Sequence, residues 1–90
     1  MMCLTDMIDL AQAWSDLGSA VQEQVAQVSE AYWAGEDAFE DAVCECNINA
    51  LGYGITFLEK VANRAEGDVA DEAKEVAEAL QAKGVRPLGW

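Results

Sequence analysis

The sequence predicts an all-α single domain over residues 1–90, a small three-helix bundle with a long N-terminal helix and a central second helix. Three observations predict it. Apolar residues recur at spacings of three and four over most of the chain, which is the period of a helix face. Alanine, glutamate and glutamine are abundant and runs of β-branched residues are absent, a composition that favours helix. The single proline, Pro87, stands near the C-terminus, so no ring interrupts a helix before it. A hydrophobic fraction of 52% is enough to pack the modest core that 90 residues allow.

Helix 1 is expected over residues 6–34, with Thr5 or Asp6 as its N-cap. Met7, Leu10, Trp14, Leu17, Val21, Val25, Val28 and Tyr32 form one apolar stripe along it. Gly35 is a natural stop. Gly18 lies inside the stripe, and the "SAVQ" that follows resembles a capping box beginning at Ser19, so a break there is one reading. The stripe keeps its phase through Gly18, which favours a single long helix carrying at most a kink.

Helix 2 is expected over residues 36–65. Cys44, Ile48, Leu51, Ile55, Leu58 and Ala62 fall on one side of it at about 100° per residue. Phe39, Val43, Cys46, Ala50, Tyr53, Phe57 and Val61 fall nearly opposite. A helix apolar on two sides packs against neighbours on both, hence the central position. The triplet Gly52-Tyr53-Gly54 interrupts this segment in composition but not in phase, so the helix is expected to run through it or kink there. Gly54 lies between the two apolar files, where a missing side chain allows a close approach. Nothing in the periodicity accounts for Gly52.

Helix 3 is expected over residues 68–83. Asp68 follows Gly67 as a cap, and Asp71 and Glu72 suit the positive end of the helix dipole. Val69, Ala73, Val76, Ala77 and Leu80 make a narrow stripe. Lys83 occupies the last turn, Gly84 the position after the C-cap, and Val85 the place of the hydrophobic contact in a Schellman motif. In the tail, residues 84–90, Leu88 and Trp90 either pack back on the bundle or, for Trp90, anchor a partner.

Several function classes lack their chemistry. The chain has no histidine, which removes the commonest general base and metal ligand. Cys44 and Cys46 form a C-x-C that supplies at most two thiolates, whereas structural zinc takes four ligands. The two are expected to pack as small hydrophobes on opposite faces. No phosphate loop or nucleophile elbow is present, and carboxylates on polar faces lack the enclosure that shifted acid–base pairs need. The expectation is a non-enzyme with no catalytic residues, no metal and no cofactor. Three cysteines with no secretory pattern ahead of them suit a reducing cytoplasm. The longest apolar stretch, residues 48–58, is too short to span a bilayer.

Charge is the most informative property. The net charge is −12, which argues against direct contact with nucleic acid or anionic membrane and favours a basic partner. Residues 1–58 hold ten acidic groups and no basic one, while residues 59–90 hold seven acidic and five basic groups. Asp9, Asp16, Glu23, Glu30 and Asp37 recur every seven residues, opposite the apolar stripe. On one helix the first four would form a file rising about 10.5 Å per step. Glu36, Asp37, Glu40, Asp41 and Glu45 follow without a lysine or arginine to relieve like-charge repulsion of a few tenths of a kcal/mol per i,i+4 pair. A merely solvated face more commonly mixes both signs, as residues 59–90 do.

In size, acidity and helical build, the chain is similar to the small phage-encoded inhibitors of bacterial defence, the anti-CRISPR and antirestriction proteins, several of which mimic nucleic acids. That similarity implies a cytoplasmic inhibitor or modulator docking on a basic, nucleic-acid-binding protein surface, and carries no residue over by itself. The acidic residues named above would make the electrostatic contact, with Tyr32, Trp33 and Trp90 as apolar anchors. The competing expectation is an oligomerising helical module, a homodimer through helix 2, whose acidic face serves only solubility.

Overall fold

The computed structural model describes residues 3–88, and all regular structure among them is α-helical. The helices are α1 (Leu4–Leu17), α2 (Ser19–Ala34), α3 (Glu36–Glu45), α4 (Ile48–Arg64) and α5 (Asp68–Ala82). The all-α class therefore stands, while the three-helix count is corrected to five. Each of the two long helices expected, 6–34 and 36–65, divides in two.

Size supplies the physical reason. A continuous helix over 6–34 would be about 44 Å long, longer than the 36 Å that the whole molecule measures along its greatest extent. Its end would project from the core with its stripe uncovered. The chain breaks instead at Gly18, with φ 84° and ψ 157°, a conformation essentially confined to glycine. The Gly18 N–H turns to the Ser15 carbonyl at 3.4 Å. The Trp14 carbonyl, which α1 leaves unpaired, accepts from Gln22 Nε2 at 2.7 Å. Ser19 gives no side-chain cap to α2.

The second division falls between Cys46 and Ile48. Cys46 is extended, and Asn47 caps α4, its Oδ1 accepting from the N–H groups of Asn49 at 2.8 Å and Ala50 at 3.3 Å. The Asn47 N–H donates to Gln24 Oε1 at 2.8 Å, which ties the break to α2. Gly35 makes the expected stop between α2 and α3, at φ 144°.

α4 is the central element, in contact with α1, α2 and α5. Leu51 and Ile55 are its most buried side chains, and they join Val28, Phe39, Val76 and Leu80 in one core. The Gly52-Tyr53-Gly54 triplet is helical, as its phase predicts. A Cβ on Gly54 would lie 2.5 Å from Val25 Cγ2, so the glycine lets α2 approach α4. Gly52 serves the tail. A Cβ there would lie 2.6 Å from the Arg86 carbonyl oxygen, the Leu88 N–H donates to the Gly52 carbonyl at 3.1 Å, and the Thr56 hydroxyl donates to the Leu88 carbonyl. Leu88 thus packs back on the bundle as expected. Trp90 lies outside the described residues.

At α5 the Schellman ending forms as expected. The Val85 N–H reaches the Leu80 carbonyl at 3.2 Å and the Gly84 N–H reaches Gln81 at 3.0 Å, with Val85 buried. The start differs by one residue: Gly67 takes the cap position and Asp68 is the first helical residue. α1 likewise starts earlier than expected, with Cys3 rather than Thr5 or Asp6 at its cap.

Candidate partner-docking surface

The two divisions of the chain redistribute the acidic residues. Asp9 and Asp16 stand on α1, Glu23 and Glu30 on α2, and Asp37 on α3, so the single file expected on one helix does not exist. All of these are exposed. Asp9 Oδ2 accepts from Arg64 Nη1 at 2.8 Å, an exposed ion pair joining α1 to the end of α4 and worth at most about 1 kcal/mol. Asp16 accepts from Gln12 at 2.9 Å. Neither carboxylate is as available as the spacing suggested.

α3 keeps its expected character. Glu36 and Asp37 lie in its first turn, where the helix dipole favours negative charge. Glu36, Asp37, Glu40 and Asp41 are all exposed, and the Arg64 guanidinium is paired elsewhere, with Asp9. Glu45 accepts from Gln27 Nε2 at 3.2 Å.

Of the three anchors, Tyr32 and Trp33 are placed together at the end of α2. Their rings meet edge to face, with centroids 4.8 Å apart, and Tyr32 meets Phe39 of α3 in the same way at 5.3 Å. Phe39 is buried and holds the cluster to the core. Trp33 remains 55% exposed. The Tyr32 hydroxyl donates to Glu75 Oε1 of α5 at 2.8 Å, and this bond, with some desolvation and the nearby carboxylate charge, raises the phenol above its ordinary pKa.

These residues line a groove of about 570 Å³ between the α2–α3 corner and α5. Glu36 closes it on the α3 side, Glu75 and Lys83 on the α5 side. Tyr32, Trp33 and Glu36 are thereby brought to one place. The contribution of α5 was not legible in the sequence. Glu75 is 43 residues from Tyr32, in a helix of mixed charge that reads as an ordinary solvated face.

The cysteines also depart in part from expectation. Cys46 is half-buried against the core, and burial with the Glu45 charge raises its thiol pKa. Cys44 is exposed rather than packed. Among the described residues, no group of three or more Cys, Asp or Glu side chains is placed to hold a metal. No helix of the described residues is long and apolar enough to cross a membrane. The chain matches no protein-family model, no curated protein and no solved structure.

Proposed function

We propose that this chain is a small acidic protein-binding inhibitor or modulator that docks on a basic, nucleic-acid-binding protein surface, similar in type to the phage anti-CRISPR and antirestriction proteins. One observation carries the reading: α3 holds Glu36, Asp37, Glu40 and Asp41 exposed on a single short rigid helix, without a lysine or arginine bonded to them among the described residues. Carboxylates held in this way compete for lysine and arginine sites built for phosphates. Three unpaired cysteines suit a reducing cytoplasm.

A combined variant, Glu36→Gln, Asp37→Asn, Glu40→Gln and Asp41→Asn, tests it. The expected outcome is loss of partner capture with the fold retained. Relieved repulsion and lost dipole interaction at the helix start are each worth a few tenths of a kcal/mol and oppose one another. Circular dichroism checks the fold, and competition between the parent protein and nucleic acid for the captured partner checks the mimicry. Simultaneous binding of both without mutual weakening refutes it.

A second reading, homo-oligomerisation with a solubilising acidic face, draws on exposed apolar side chains. Leu4, Met7 and Ile8 of α1 are more than half exposed, and Ile48 and Tyr53 of α4 are also open. Sedimentation at tens of micromolar separates the two readings: a species of 9.7 kDa removes the oligomer.

A further inference from the structure

The groove at Trp33 shares Glu36 with the carboxylate row on α3 and adds an aromatic surface to it. Its floor and wall are aromatic: Trp33, half exposed, backed edge-on by Tyr32, which is itself backed by buried Phe39. Its rim is charged, with Glu36 and Glu75 against one ammonium, Lys83. Trp33 also borders a second, smaller groove of about 320 Å³, to which Glu72 contributes. Three carboxylates therefore line the two grooves that share the exposed indole, with a single lysine among them.

An exposed aromatic face beside carboxylates is suited to a cation that is planar and weakly hydrated. A guanidinium stacks on an indole and donates in fork geometry to a carboxylate, whereas an ammonium is a strongly hydrated point charge that gives up more water on entering such a groove. The rigidity is also suitable. Tyr32 is held from both sides, by Phe39 and by its hydrogen bond to Glu75, so Trp33 rests on a fixed support.

We propose that this groove receives an arginine side chain of the partner protein, its guanidinium on Trp33 and between Glu36 and Glu75. The inference rests on the acidic-docking reading, which supplies the partner's basic character, and adds the residue type that it inserts. Glu75 contributes its charge to the rim while accepting from Tyr32, so the site spans α2, α3 and α5 and exists only in the folded chain.

The test uses the intact protein and two synthetic peptides, nona-arginine and nona-lysine, in two-dimensional NMR titrations at 50 mM salt. The Trp33 indole N–H signal is assigned by its disappearance in Trp33→Leu. The expected result is that nona-arginine shifts the Trp33 indole and binds at least several-fold tighter than nona-lysine. Trp33→Leu should weaken nona-arginine by about tenfold, within the range of a desolvated cation–π contact, and should reduce the preference over nona-lysine. Glu75→Gln, which keeps an acceptor for Tyr32 while removing the charge, should weaken nona-arginine without unfolding the protein, as checked by circular dichroism. Equal affinity for the two peptides, or shifts confined to α3 with the Trp33 indole unmoved, overturns the arginine site and leaves the acidic-docking reading standing. Failure of both peptides to bind overturns both.

Discussion

Gly54 sits where two opposing effects can be weighed. An alanine there would raise helix propensity by about 1 kcal/mol, but its methyl would fall 2.5 Å from Val25 Cγ2. Val25 is buried and β-branched, so it cannot rotate away freely, and overpacking a core costs about 1–3 kcal/mol. Gly54→Ala should therefore destabilise the protein by up to about 2 kcal/mol in urea unfolding. Val25→Ala added to it should recover part of that loss, giving a favourable coupling in a double-mutant cycle. Cys46 supports a second prediction. Its thiol pKa is raised in the fold, so the folded state favours the protonated form. Whatever this contributes to stability is complete below the unfolded thiol's pKa and is lost as pH rises through the folded one. At mildly alkaline pH, iodoacetamide should label exposed Cys3 and Cys44 before Cys46. Mass spectrometry of timed samples checks the order, and early labelling of Cys46 would contradict the packing described.

The helices show where local signals suffice and where they fail. The Schellman ending of α5 was readable from Lys83, Gly84 and Val85 because a helix terminus is a local structure whose residues lie within one turn. The division at Gly18 was visible as an ambiguity. A glycine followed by serine suggests a break, while the unbroken apolar phase suggests continuity, and the phase misled because Val25 and Val28, the buried face of α2, fall in the register of the α1 stripe. The Asn47 cap was missed for a similar reason, since Ile48, Leu51 and Ile55 extend the file that begins at Cys44. Gly18 leads to a direct test. Nothing lies within 4 Å of a Cβ built there, so the cost of Gly18→Ala is conformational alone, about 1–3 kcal/mol for a non-glycine residue in that region. Thermal unfolding should show the loss, and Gly18→Asn should not restore it, because ψ 157° lies outside the left-handed well that asparagine tolerates. An unchanged midpoint for Gly18→Ala would mean that α1 and α2 can fuse without penalty.

Taken whole, the molecule carries a charge of −12 within Cα extents of 36 × 24 × 18 Å. Five cationic side chains stand against seventeen carboxylates, so self-repulsion is expected to outweigh pairing. Screening should then stabilise the fold. Raising salt from 0.01 M to 0.5 M, which contracts the Debye length from about 30 Å to a few ångströms, should raise Tm by several degrees. A gain of about 1 kcal/mol corresponds to about 4–8 °C for a domain of this size. A fall in Tm would mean that attractive pairs dominate. The same salt should weaken partner binding if the contact is electrostatic, so stability and affinity should move in opposite directions.

Helical class, the run through Gly52 and Gly54, the ending of α5 and the one-signed charge of residues 1–58 follow from composition and from contacts within a few residues of each other. Those are properties that periodicity and capping chemistry express directly in the order of amino acids. The number of helices, the use of Gly52 and the groove at Trp33 do not. Gly52 is glycine because the backbone at Arg86 and Leu88 lies against it, and Glu75 completes the groove because α5 packs on α4 and reaches the Tyr32 corner. The last two depend on residues more than thirty positions apart meeting in space. Whether they meet depends on how a short chain covers one core, and no window of sequence contains that.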